Sequence, residues 1–263
     1  MRLRPFGNTG IEVSPIGLGT VKLGRNKDVK YPESFVIPND KKARDLIHLA
    51  KDLGVNLIDT APAYGNSEER LGKLLTQQRQ DWVICSKVGE EYDNNKSIFD
   101  FSAGHTRLSV ERSLRRLHTD YIDIVMVHSD GNDLDIISRA DTLSELEKLK
   151  QEGLIRSFGM STKTVEGGLK AVDVADGVMA TYNLEYQAEK PVIEYCGQQQ
   201  KGLLIKKAFA SGNLCSKGTD PVQQSMDFIF SHAGVSSVIV GTINPRHLQE
   251  NVNAVIAAIS NQR

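Results

Sequence analysis

The chain has 263 residues, 40% of them hydrophobic and 25% charged, with 32 Lys and Arg against 33 Asp and Glu for a formal net charge of -1. That balance argues against a nucleic-acid stripe or a polybasic membrane patch, though not against a local basic pocket. Three cysteines, Cys85, Cys196 and Cys215, are odd in number and form no CxxC pair. They therefore speak against a disulfide framework or a zinc site and fit a reducing cytoplasm. The opening MRLRPFGNTG has no apolar leader core, and no apolar run reaches the length of a membrane span.

The first pattern is LRPFGNTGIEVS, in which Asn-Thr-Gly between short extended pieces signals a β-hairpin. From there the chain alternates strand and helix. SPIGLGT leads to DKKARDLIHLAKDLG, VNLIDTA to SEERLGKLLTQQ, DWVICSKV to TRLSVERSLRRLH, and DIVMVHS to LSELEKLKQEG. IRSFGMS then leads to VEGGLKAVDVA, GVMATYN to PVIEYCGQQQ, LLIKKAF to DPVQQSMDFIFSHAG, and SSVIVGT to NPRHLQENVNAVIAAI. The helical stretches show three-and-four apolar spacing, and the strands are rich in Val and Ile. This reads as an α/β fold of eight parallel units, a (β/α)8 TIM barrel with an N-terminal hairpin, in one domain over residues 1–263. A doubly wound sheet is the rival, but GLGTVKLG lacks the glycine spacing of its dinucleotide turn.

Two connections exceed ordinary loop length, residues 21 to 39 and residues 88 to 104, and both follow strands. Such loops lie at the catalytic mouth of a barrel. Tyr31, Phe35, Tyr92, Phe99 and Phe101 could line a pocket there, or merely pin their own loops.

The carboxyl ends of all barrel strands meet at one face, so polar residues there are the candidates for chemistry. Those ends carry Asp59, Lys87, His128, Ser161 and Asn183, with Tyr64 just beyond the second strand. A phenol titrates near pH 10 and is a poor proton donor at neutrality. A nearby ammonium should pull its pKa down, and a His can hold its hydroxyl in place. Lys87 sits in the apolar VICSKV and would lose its charge if buried alone, and Asp59 supplies the compensating carboxylate. Each residue alone has an ordinary structural explanation: a turn Asp, a snorkelling Lys, a satisfied core His. Their clustering at three successive strand ends does not.

LIDTAPAYGNSEERLG resembles the signature of the aldo-keto reductases. The resemblance spans nearly the whole chain: the hairpin, GLGT on strand one, SKVG around the Lys, VHSD around the His, GMST on strand five and HLQEN on the last helix. It implies an NAD(P)H-dependent carbonyl reductase in which Asp59, Tyr64, Lys87 and His128 are catalytic, with Tyr64 as general acid and no metal. It also implies a cofactor site. Gly19 and Thr20 belong to it through GLGT, and Ser161 matches a position that bonds the nicotinamide carboxamide. Thr162 stands where relatives often have Asn, Asn183 where Gln is common, and Tyr186 where an aromatic stacks on the nicotinamide. KKAFASGNL resembles the pyrophosphate loop, bringing in Ser211, Gly212 and Asn213.

After the last strand, Gly241 and Thr242 precede Arg246 and His247, where many NADP-preferring relatives carry a Lys near Gly241 and an Arg at the position of His247. Arg246 is the candidate for a 2′-phosphate, a solvated surface charge being the alternative, while Glu250 and Asn251 match adenine contacts. NADP is favoured and NAD stays open. The long C-terminal loop of substrate-gripping relatives is not found before the chain ends at ISNQR. The substrate is therefore left at small aldehydes or ketones, closed over by the two long loops, by a neighbouring subunit, or hardly at all.

Other readings compete. A catalytically weak barrel of the same family could serve as a redox-sensing or accessory partner. A barrel glycosidase needs two carboxylates at suitable strand ends. Strand four instead ends in His128 with Asp130 beyond, and strand seven offers Lys206 and Lys207. A metal hydrolase lacks a second His cluster.

Overall fold

The Val- and Ile-rich runs pair with one another in a computed structural model that describes residues 1–215 and 219–260. Eight parallel strands close a barrel: β3 (Ile16–Gly19), β4 (Leu57–Asp59), β5 (Val83–Val88), β8 (Ile122–His128), β9 (Ile155–Ser161), β10 (Gly177–Thr181), β11 (Gly202–Lys206) and β12 (Ser237–Val240). They neighbour one another in chain order, and β12 pairs back onto β3. The expected (β/α)8 barrel is therefore the observed fold. The hairpin is present too, as the antiparallel pair β1 (Arg4–Pro5) and β2 (Glu12–Val13).

Helices alternate with the strands and start where capping residues stand. Asn39 accepts a hydrogen bond from the Lys42 backbone N–H at the head of α2 (Asp40–Asp52), whose Ala43, Leu46, Ile47 and Ala50 form the buried stripe. Ser102 caps α4 (Ala103–Leu117) in the same way, and left-handed His118 ends it. Thr164 caps α7 (Val165–Val174). The remaining helices are α1 (Val21–Gly24), α3 (Ser67–Leu74), α5 (Asp133–Arg139), α6 (Thr142–Gln151), α8 (Lys190–Gln198), α9 (Pro221–Phe230) and α10 (Pro245–Ser260). None of the helices among the described residues is long and apolar enough to cross a membrane.

Strand pleating divides the apolar side chains into two cores. Ile58, Ile84, Val125, Phe158 and Met160 pack outward among the helices. Leu57, Val83, Cys85, Ile124, Met126, Met179 and Leu204 fill the barrel interior with Phe6, Ile11 and Val13 of the hairpin. The hairpin plugs the amino-terminal end. Phe6 lies so close to Gly177 and Gly202, which face each other on β10 and β11, that a Cβ on either would come within 2.4 Å of its ring. One end is thus sealed by packing, and the carboxyl-terminal end is left for chemistry.

Three segments depart from the sequence expectation. The long connection of residues 21 to 39 opens with the short helix α1. Residues 88 to 104 are not an open loop: β6 (Glu90–Asp93) and β7 (Lys96–Phe99) form an antiparallel hairpin. Its turn places consecutive Asn94 and Asn95 at φ 48° and 61°, the left-handed pair of a type I′ turn. A further helix, α5, follows β8 before the expected α6.

Candidate active site

The pleat that sends Leu57, Val83, Cys85, Ile124 and Met126 into the barrel carries the same parity on to Asp59, Lys87 and His128. Asp59 and His128 end their strands and Lys87 lies one residue from the end of β5, and all three point inward at the open mouth. Lys87 Nζ donates to Asp59 Oδ1 at 2.5 Å and to the Thr60 carbonyl at 2.9 Å. The two residues are 2% and 3% exposed, so this pair is fully desolvated. Burial alone would pull the Lys87 pKa down. The carboxylate of Asp59, aided by Tyr64, outweighs it and leaves the ammonium above its ordinary value.

Tyr64 lies on the turn between β4 and α3, with Lys87 Nζ 4.9 Å from its ring centroid. Its ring meets that of His128 edge-on, at 6.4 Å between centroids and 87° between planes. The four side chains expected to converge do so. The phenol differs from the expectation in one respect. Burial raises its pKa well above the ordinary value, and although Lys87 pulls it down, Asp59 pushes with burial. The hydroxyl is held protonated rather than brought toward neutrality.

Glu90, at the start of β6, has no counterpart in the sequence reading. Its Oε2 lies 2.6 Å from His128 Nδ1, and its Oε1 accepts from Ser97 Oγ at 2.5 Å. Burial would raise the Glu90 carboxyl, but the contact with His128 holds it down to about 2. His128 itself is lowered by burial, with Glu90 opposing and Lys87 and Lys206 reinforcing the shift. A carboxylate on Nδ1 keeps the imidazole proton there and leaves Nε2 as the acceptor nitrogen.

The long loops brace one another. The Arg25 guanidinium stacks 3.3 Å from the Tyr92 ring centroid, and the Tyr92 hydroxyl donates to Asp28 at 2.5 Å. Tyr31 and Phe35 meet edge-on under Lys22, while Phe99 stacks on Phe101. Each aromatic pins a loop, and Tyr31 reaches further: a Cβ on Gly241 would lie 2.9 Å from its hydroxyl.

The residues expected at a cofactor lie at or beyond the carboxyl ends of the strands that complete the ring, β9 through β12 and β3, away from the β4-β5-β8 arc of the ionisable cluster. Lys206, inward at the end of β11, donates to Ser161 Oγ at 2.8 Å and to the Thr162 carbonyl at 2.7 Å. Thr162 Oγ1 is buried with no hydrogen-bond partner. Thr20 Oγ1 donates to the Asp59 carbonyl and accepts from Ser67, tying β3 to β4 beside Gly19. Asn183 spends its carboxamide on the backbone N–H groups of Glu185 and Tyr186 and on the Lys207 carbonyl, and Tyr186 is exposed. Ser211 and Gly212 follow Ala210 in a turn with φ 61°, 101° and 46° respectively, and Asn213 is exposed. Thr242 bonds Asn244 at the head of α10, where Arg246, His247 and Glu250 are exposed and Asn251 is buried.

A model of the aldo/keto reductase family matches residues 15–225. The chain belongs to the aldo/keto reductase family. A crystal structure assigned to the aldo-keto reductases from Pseudomonas aeruginosa is 56% identical, with a TM-score of 0.90 over 98% of this chain and 95% of that one. L-galactose dehydrogenase of Arabidopsis thaliana is 30% identical over 97% of this chain and 88% of its own length. An uncharacterized oxidoreductase of Bacillus subtilis is 28% identical over 98% and 92%. This aldo/keto reductase is an NAD(P)H-dependent oxidoreductase. The residues present fit a dinucleotide. The orphaned Thr162 hydroxyl suits an amide, and Gly19 lies against Gly241, where a Cβ would meet the neighbouring backbone at 3.4 Å. Lys163 and Lys30 lie near enough to Lys207 to depress it further, after burial, giving this arc a positive potential for phosphates.

Proposed function

We propose that residues 1–263 act as one barrel domain that reduces small aldehydes or ketones to alcohols in the cytoplasm, with NADPH favoured over NADH. The observation that carries this reading is the buried Asp59–Lys87 pair under Tyr64, with His128 edge-on beside the phenol. A bound reduced nicotinamide supplies the hydride to the carbonyl carbon. Tyr64 gives its hydroxyl proton to the carbonyl oxygen as general acid. The Lys87 ammonium stabilises the phenolate left behind, Asp59 keeps that ammonium charged, and the His128 ring, edge-on to the phenol, bounds the place where the carbonyl meets the Tyr64 hydroxyl.

Ser161 and Thr162 hold the carboxamide, and Tyr186 completes the nicotinamide side on a turn that the Asn183 carboxamide holds in place. Ser211, Gly212 and Asn213 take the pyrophosphate opposite Gly19 and Thr20. Gly241, Thr242, Arg246, His247, Glu250 and Asn251 form the adenosine end, where Arg246 reads the 2′-phosphate. The test is a panel of carbonyl compounds assayed with NADPH and NADH in parallel, following reduced-nicotinamide absorbance. Turnover of simple aldehydes, faster with NADPH, is expected. Tight cofactor binding with no turnover across the panel contradicts catalysis and leaves the accessory role.

A further inference from the structure

Two lysines face the open mouth, and they differ in kind. Lys87 is neutralised by Asp59 at 2.5 Å. Lys206 crosses the end of β10 to reach β9, and both of its hydrogen-bond partners, Ser161 Oγ and the Thr162 carbonyl, are uncharged. Among the described residues, no carboxylate lies within ion-pairing distance of it. Its side chain is inward by the parity of Leu204 and Lys206, whereas Lys207, just past the strand, is exposed and left-handed at φ 57°. A donor on Ser161 Oγ occupies one lone pair of that hydroxyl, which turns its single proton outward as a donor.

We propose that Lys206 sets the redox preference of the cofactor site, its ammonium disfavouring the oxidised, cationic nicotinamide relative to the reduced, neutral ring. The inference rests on the reading above, in which Ser161 holds the nicotinamide carboxamide. A ring bonded to Ser161 lies beside the group that already donates to the same oxygen. A positive charge there distinguishes the two forms by charge alone, since their phosphates and sugars are the same. The protein then grips the reduced nucleotide and releases the oxidised one, which fills the site with hydride donor and speeds loss of the spent nucleotide, while making the bound reduced ring a somewhat weaker donor.

Burial lowers the Lys206 pKa, making this charge adjustable. The charged groups around it are Glu189 before α8 and Asp133 on α5, which favour the ammonium, and Lys163 and Lys207, which oppose it. His128 also feels it across the mouth. Because His128 is lowered from 6.5, a change above neutrality belongs to the amine rather than to the imidazole.

The test is calorimetric binding of the oxidised and reduced nucleotides to the wild type, Lys206→Met and Lys206→Arg. In Lys206→Met the ratio of oxidised to reduced dissociation constants should fall at least about tenfold, the scale for unit charges several Å apart in a partly polar site. Lys206→Arg should restore it. In the wild type, which needs no variant to fold, the same ratio should fall between pH 7 and pH 9 as the ammonium loses its proton. A ratio unchanged in Lys206→Met and flat with pH overturns the charge role and leaves the cofactor assignment standing. Equal shifts in the Met and Arg variants also overturn it, since packing alone then explains them. Binding of neither form to the wild type overturns the cofactor assignment, and this inference with it.

Discussion

Asp59→Asn isolates the energetics beneath the phenol. The substitution keeps the shape of the side chain and leaves Lys87 with the Thr60 carbonyl at 2.9 Å and a neutral amide where a carboxylate stood. Breaking a buried pair by removing one partner costs about 3–5 kcal/mol when the survivor stays charged. Lys87, 2% exposed, has a cheaper route. With the carboxylate gone, burial dominates, and the amine escapes by releasing its proton.

The pH dependence follows in sign. In the wild type the folded Lys87 pKa is raised, so its stabilisation is fully present below the unfolded value of about 10.4 and is lost only as pH rises through the folded value. In the variant the folded pKa is depressed. Between that value and about 10.4 the unfolded state binds more protons, so stability rises with pH by up to about 1.4 kcal/mol per unit. Urea unfolding at pH 6 and pH 9 reads both effects. The expected result is a loss relative to the wild type of about 3–5 kcal/mol at pH 6 that narrows at pH 9. A loss below about 1 kcal/mol at both pH values would place the pair with exposed salt bridges and refute the reasoning.

Glu90→Gln should move His128 protonation to still lower pH, because the carboxylate is what opposes its burial. The corresponding limb of the kcat/KM pH profile should shift the same way, with kcat/KM falling about tenfold for a lost charge-assisted contact. An unmoved profile would make Glu90 a bystander. Arg246→Ala should raise the NADPH dissociation constant and leave that of NADH nearly unchanged, and equal effects would show that Arg246 does not read the 2′-phosphate. Phe6→Ala should cost about 3–5 kcal/mol in urea unfolding by emptying the barrel's sealed end. A loss under about 1 kcal/mol would mean that the plug is dispensable.

Much of this architecture was legible because barrel strands obey a parity. Once Val83 and Cys85 are inward, Lys87 must be, and the same count carries Ile124 and Met126 to His128. That count also reaches Lys206, where IKKAF shows two lysines and only the register, Thr181 opposite Lys206, separates the inward one from its exposed neighbour. Glu90 was harder to read. It reaches His128 because Asn94 and Asn95 fold residues 90 to 99 into a hairpin, and a pair of asparagines between four-residue strands is a faint local signal. The sign of the Tyr64 shift was beyond local pattern altogether. It is set by how much burial opposes Lys87, a tertiary quantity that spacing does not encode. Asn183 shows the converse limit: its position was readable, but not that the turn after β10 consumes both ends of its carboxamide.

Removing one oxygen bears most directly on the whole account. Tyr64→Phe, measured in parallel for NADPH affinity by calorimetry and for hydride transfer to an aldehyde by single-turnover absorbance, should keep the affinity and lose about 10²–10⁴ of the rate. A hydride-transfer rate equal to that of the wild type would mean that the proton comes from elsewhere, and that the ammonium, carboxylate and imidazole gathered at this rim serve the fold rather than the reaction.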